Sequence, residues 1–352
     1  MSFREAKWLL EQIKSSLNNN SSGFQQVIKE QIELLNLPYN FNYGSAVVYN
    51  NEIHILGSND GSSQTKHYKY NGSSWTSVST LPYSFYTGSA VVYNNEIHII
   101  GGNGTYTKHY KYNGSSWTSV STLPYNFNYG SAVVYNNEIH ILGSGNGQTK
   151  HYKYNGSSWT SVSTLPYNFY YGSAVVYNNE IHILGGSYDS SSQTKHYKYN
   201  GSSWTSVSTL PYNFYSGSAV VYNNEIHILG SGSSGNYTKH YKYNGSSWTS
   251  VSTLPYNFYD GSAVVYNNEI HILGSYDSSN RTSHYIYNGS SWTNNIYCIY
   301  LCKDVFIMIA DANNIHYLNQ DSTEVISDTV LKTTKDCKFK YLYNDIAMTI
   351  YK

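Results

Sequence analysis

The chain has 352 residues, zero formal net charge and only 12% charged residues. It lacks the basic stripe that neutralises nucleic-acid phosphates and the polybasic segment that holds an anionic membrane. No stretch is apolar for the length that spans a bilayer, so neither a nucleic-acid partner nor membrane insertion is expected.

Residues 1–36 begin "MSFREAKWLLEQIKSSL", where Glu5 and Glu11 interrupt the apolar residues. That is no signal peptide, so synthesis in the cytosol is expected. Phe3, Ala6, Leu10, Ile13 and Leu17 alternate three- and four-residue steps, which predicts a helix with a heptad seam. "NNNSSG" breaks it, and Phe24, Ile28 and Leu35 predict a second short helix. Two roles stay open for this segment. It caps the fold as a helical hairpin, or it docks the chain to a larger assembly or to its own copies.

From residue 37 to 293 one unit repeats. "GSAVVYNNEIHIL" starts at Gly44, Gly88, Gly130, Gly172, Gly217 and Gly261, changed only by Ile100 in place of Leu. Pro38, Pro82, Pro124, Pro166, Pro211 and Pro255 all stand in "LPY", at intervals of 44, 42, 42, 45 and 44 residues. Such a period suits four short strands per unit. "SAVVYN" is strand A, apolar on both alternations, as a strand buried on two faces should be. Asn50-Asn51 makes a tight hairpin, "EIHIL" is strand B, and a loop of variable length follows. "TKHYKY" is strand C, Asn71-Gly72 turns, and strand D starts at Trp75. Blades stacked radially bury both faces of their inner strands, which predicts an all-β propeller.

A strand ending in glycine, then a tyrosine and a following tryptophan, resembles the kelch repeat. In the first unit these are Gly57, Tyr70 and Trp75. The kelch double glycine stands at Gly101-Gly102 and Gly185-Gly186, while the other four units have Gly-Ser, as at Gly57-Ser58. The resemblance implies a kelch-type β-propeller. It leaves function open, because such propellers serve as enzymes, adaptors and adhesins.

Residues 294–352 diverge. "IYCIYLCKDVFIMIADANNIHYLN" and "TEVISDTV" read as the four strands of a degraded blade, and "FKYLYNDIAMTIYK" as a terminal hairpin. The expectation is therefore seven blades, six regular and one divergent, with six or eight as alternatives. Cys298, Cys302 and Cys337 are an odd count gathered at one end, so no disulfide framework is expected.

The turns "YNNE" and "YNGSSW" are identical in all six units. Two places vary. One is the pair before the repeat glycine: Asn42-Tyr43, Tyr86-Thr87, Asn128-Tyr129, Tyr170-Tyr171, Tyr215-Ser216 and Tyr259-Asp260. The other is the B–C loop, with Tyr106, Tyr188, Asp189, Tyr237, Tyr276, Asp277 and Arg281. In an up-and-down blade both places lie on one face, and variable loops on a rigid scaffold are where recognition sits. These residues are the candidate ligand-binding set. Drift in a recently amplified gene and selection for varied binding both fit the exchanges, and the 41 tyrosines fit either a paratope-like surface or an AT-rich genome.

His54 and His67 recur in each unit without metal-ligand spacing such as HExxH, and His54 is expected to pack between blades, hydrogen-bonded. The paired carboxylates of a glycosidase are missing, since Glu52 falls on the constant face. No enzyme activity, metal or cofactor is expected. The reading these features favour is a recognition propeller on the surface of a virion or similar extracellular particle, such as a phage tail, binding a cell-surface glycan or protein. A cytoplasmic adaptor that captures a protein segment is the alternative, and a purely structural protein the third.

Overall fold

Asn50 and Asn51 lie between two runs rich in β-branched and aromatic residues, and both take positive φ, 49° and 59°. This is the turn whose twist matches a hairpin, and asparagine adopts it at low cost. In the computed structural model it joins strand A, Ser45–Tyr49, to strand B, Glu52–Leu56, with Val47 opposite His54. Strand C, His67–Tyr70, pairs with B, and strand D, Trp75–Ser77, with C. At the C–D turn the Asn71 side-chain oxygen accepts the amides of Ser73 and Ser74 at 2.9 Å. Five more sheets of the same order follow, the last ending in Trp292–Asn294. The structure describes residues 36–294 except 146–147, 188–192, 234 and 278–280, together with the backbone of strands between 298 and 349. The helices expected in residues 1–36 lie, up to residue 35, outside the described residues, which contain no helix.

Blades meet through a wedge. In "LPYSF" of the second unit Leu81, Tyr83 and Phe85 are buried, with Phe85 fully so. They pack with Val47, Tyr49 and Leu56 of the blade before. The wedge backbone bonds to the preceding B–C loop, Leu81 N–H to Thr65 O at 2.9 Å and Phe85 N–H to Gln64 O at 2.8 Å. Gly57 makes room: at φ 63°, a Cβ there would stand 1.8 Å from the Phe85 carbonyl. Only glycine meets both conditions.

The first "LPYNF" has no preceding regular unit in the chain, and it closes the ring. Leu37 N–H bonds to Thr282 O at 3.0 Å and Phe41 N–H to Arg281 O at 2.9 Å, as at every inner seam. Leu37, Tyr39 and Phe41 pack with Val264, Tyr266 and Leu273 of the last regular blade. The propeller therefore has six blades, not seven. Six wedges fill six seams, and the tail carries no seventh "LPY". The strands expected there do form: Cys298–Cys302, Phe306–Ala310, Asn314–Asn319 and Val325–Thr329 make a four-stranded antiparallel sheet, and Lys340–Tyr343 with Ile346–Thr349 a hairpin. They belong to a unit separate from Asn36–Trp292.

The two histidines of each repeat find each other. His54 Nδ1 lies 2.8 Å from His67 Nε2, and the same bond recurs in all six blades. Each ring is at most 3% exposed. The strand C histidine also meets the next blade, with His67 against Tyr112 and Trp117. Burial pushes His54 down to about 4, and burial with the neighbouring histidine pushes His67 to about 3. The dyads are neutral at pH 7.

Two outcomes follow. Phe85→Ala should lower stability in urea by about 3–5 kcal/mol, the usual cost of emptying a fully buried phenylalanine site, and Phe127→Ala by a similar amount. The histidines are held below their unfolded value, so stability is constant above that value, near 6.5, and falls as pH drops toward about 4. Each dyad histidine adds a slope of up to ~1.4 kcal/mol per pH unit in that window. Circular dichroism should show steep acid unfolding at a midpoint between about pH 5 and 6. Unchanged stability down to pH 4 would contradict the neutral dyads.

Candidate functional site

Each wedge ends in a corner just before strand A, at the variable pair. The second residue of every pair takes left-handed φ without being glycine: Tyr43 54°, Thr87 59°, Tyr129 56°, Tyr171 56°, Ser216 57° and Asp260 54°. For a β-branched threonine this is a costly conformation. The corners are held by one another. Thr87 N–H donates to Tyr43 O at 2.7 Å, Tyr129 to Thr87 at 2.6 Å, Tyr171 to Tyr129 at 2.8 Å, Ser216 to Tyr171 at 2.7 Å and Asp260 to Ser216 at 2.7 Å. Tyr43 N–H then donates to Asp260 O at 2.6 Å and closes a six-membered ring of backbone bonds. A second ring lies one step along strand A. Ala90 N–H donates to Ser45 Oγ at 3.1 Å, and the same serine–alanine bond joins each blade to the next, through Ala46 to Ser262 at 3.1 Å. Valines such as Val47, Val48, Val91 and Val92 line a cavity of about 390 Å³ beyond it.

The B–C loops come to the same corners. Asn59 N–H donates to Asn42 O, Asn103 to Tyr86, Gly145 to Asn128, Ser187 to Tyr170, Gly232 to Tyr215 and Tyr276 to Tyr259, all within 3.0 Å. Both variable regions therefore meet in every blade. Where the unit reads Gly-Ser, the serine hydroxyl braces the corner, as Ser58 Oγ does on Asn40 O at 2.8 Å. Where it reads Gly-Gly, the second glycine takes φ of 105° or 84° and its amide bonds to the next wedge phenylalanine.

The side chains do not stand as separate exposed loops. Tyr129 stacks on Tyr171 at 4.2 Å between ring centres, and Tyr171 on Tyr215 at 4.8 Å. Tyr43 reaches Tyr129 edge-on at 6.3 Å, and Thr87, the corner between them, is 6% exposed. Tyr170 packs edge-on to Tyr171 and is buried, as is Asn42. Asn128 accepts Ser144 Oγ–H at 3.0 Å. Asn103 donates to the Tyr86 hydroxyl and accepts from Tyr106 at 2.9 Å. Tyr237 meets Tyr259, which meets Tyr276, which meets Tyr43. Tyr276 is 44% exposed, with the Arg281 guanidinium 5.6 Å over its ring. Asp277 N–H bonds to Ser275 Oγ. Tyr188 and Asp189 lie outside the described residues. Sequence reasoning missed the bracing serines and Asn103. The Gly-Ser against Gly-Gly alternation was the signal for the first, and Asn103 carried none.

Asp260 is the acid on the axis. It accepts the Tyr43 and Ser216 hydroxyls, and burial raises it to about 7. Glu52 is bound by Lys69 at 2.9 Å, and four other blades repeat the pair. The sixth has Ile286 instead of lysine, and burial raises Glu269. Among the described residues no three His, Cys, Asp or Glu converge to hold a metal.

A family model described as the DUF6242 beta propeller domain matches residues 37–336. Among solved structures the chain is similar to YjhT, with a TM-score of 0.61 and 15% identity over 81% of this chain and 99% of that one. At that identity the likeness shows the fold alone. No curated protein matches the chain.

The backbone ring leaves corner side chains exchangeable while the adjoining glycine is fixed. A Cβ on Gly88 would meet the Phe85 ring at 2.5 Å. Thr87→Ser and Tyr129→Phe should each change stability by less than about 1 kcal/mol, and Gly88→Ala should cost more than about 2 kcal/mol. Urea titration of the three variants checks the contrast.

Proposed function

We propose that this chain, which belongs to the DUF6242 beta-propeller family, is a non-catalytic recognition module that binds a cell-surface glycan or protein through its corner face. One observation carries the reading. In each blade the B–C loop is bonded to its own corner, so the differences between otherwise near-identical repeats gather at one end of the ring. Tyrosine supplies contact area with few rotatable bonds, and asparagine and serine supply adaptable hydrogen bonds beside it. The braced corners hold these side chains in place before a ligand arrives, which lowers the ordering cost of binding. The stack of Tyr129, Tyr171 and Tyr215 offers a rigid row of ring edges and hydroxyls suited to sugar hydroxyls or to protein side chains. We place the module, with the kelch-like reading of its repeats, on a phage-like particle, where many tethered copies would turn weak contacts into avidity.

The test uses the whole chain, fluorescently labelled, on panels of intact bacterial cells and on a glycan array. Binding should be lost in Tyr171→Ala/Tyr215→Ala and kept in Asn50→Gly, which changes the constant face at a turn whose φ glycine accepts. Equal loss in both, or binding indifferent to either, would count against the corner face. Finding the chain by mass spectrometry in purified particles checks the placement.

A further inference from the structure

The corner ring is not uniform. Across blades 3 to 5 the rings of Tyr129, Tyr171 and Tyr215 lie 31° and 35° from parallel and cover one another's faces. At the seam between blades 6 and 1 they stand on edge. Tyr276 meets Tyr43 at 5.4 Å and 65°, and Tyr259 at 6.1 Å and 65°. An edge-to-face contact covers the face of one ring of the pair, where a parallel stack covers a face on both. Asp260 adjoins this group, bonded to the Tyr43 hydroxyl. It is the one acid among the six axial corners, and none of the ion pairs among the described residues uses it. Asp277 acts on Tyr259 from the loop side. The seam already draws a cation of its own chain, since Arg281 lies over one face of Tyr276. Tyr276 is also the exposed large hydrophobic residue of the described fold.

We propose that the seam formed by Tyr43, Tyr259, Tyr276 and Asp260 is a cation-binding cage for an organic ammonium group on the ligand. This deepens, and rests on, the reading of the corner face as a recognition surface. The ring faces attract the cation through their quadrupoles, and the carboxylate supplies the opposite charge. Burial raises Asp260 to about 7, and a bound cation would favour its ionised form. An amine-bearing sugar, a choline headgroup and a methylated lysine share this chemistry.

The probe is choline, titrated by calorimetry into the full chain, with its uncharged tert-butyl isostere 3,3-dimethylbutan-1-ol as control. Choline should bind at least about tenfold more tightly than the isostere. Asp260→Asn, which keeps size and hydrogen-bonding capacity, should remove most of that difference, and Tyr276→Ala, at an exposed position, should weaken choline by a similar factor. Thermal melts of both variants establish that they are folded. No choline binding, equal binding of the isostere, or indifference to Asp260→Asn overturns the cage. Cell binding that depends on Tyr171 and Tyr215 would survive any of those results, so the cage and the corner-face reading fail separately.

Discussion

At the axis six backbone amides each donate to the carbonyl of the preceding blade's corner, and the sixth bond, from Tyr43 to Asp260, returns to the start. Each bonded corner takes left-handed backbone, at Tyr43 and Thr87 as much as at Ser216. That conformation costs free energy at every non-glycine position, and the closed ring over-determines it. The same constraint fixes the orientation of strand A, which starts two residues later. It also sets the serine–alanine bonds beside it and the place where the B–C loop returns. Because the ring uses only backbone atoms, its bonds are indifferent to which side chain each corner carries.

That indifference separates the molecule into two parts. The scaffold is repeated almost without change: the wedge leucine, tyrosine and phenylalanine, the glycine that receives them, the histidine dyad and the asparagine turns. The wedge phenylalanine fills the space that Gly57 and its counterparts leave open, so a change in either partner empties or overfills the seam. At the corners tyrosine, threonine, serine and aspartate occupy equivalent positions in one ring. Such exchange beside a repeated core is what the proposed recognition surface needs, and its chemistry would then be set by neighbouring pairs. Parallel tyrosines fill one arc, and an acid among upright rings occupies another.

Most of the fold is legible in the sequence, because its signals are local. Asn50-Asn51 announces a hairpin, "SAVVY" a strand buried on both faces, and the 42–45 residue interval the blade. Blade number is harder to read, because "LPY" looks in sequence like a carrier between units. It is the filling of a seam, and counting six prolines as six seams closes the ring without the tail. The histidine dyads are half legible. Burial follows from the alternation of His54 with Ile53 and Ile55, but the partner lies beyond a loop of changing length. The corners are legible as a place and not as an arrangement. Nothing in "NYG" or "YTG" says that the second residue turns left-handed, since Tyr and Thr disfavour it. Ring contacts such as Tyr43 with Tyr129, two blades apart, depend on that turn.

Amide hydrogen exchange at the six corners tests the central claim most directly. A closed ring bonds the amides of Tyr43, Thr87, Tyr129, Tyr171, Ser216 and Asp260 alike. All six should therefore exchange slowly and at similar rates, together with the amide of Ala46 at the closing seam. Fast exchange at Tyr43 and Ala46 beside slow exchange at the other five corners would contradict closure, because it would mean that the ring is open between its last and first blades.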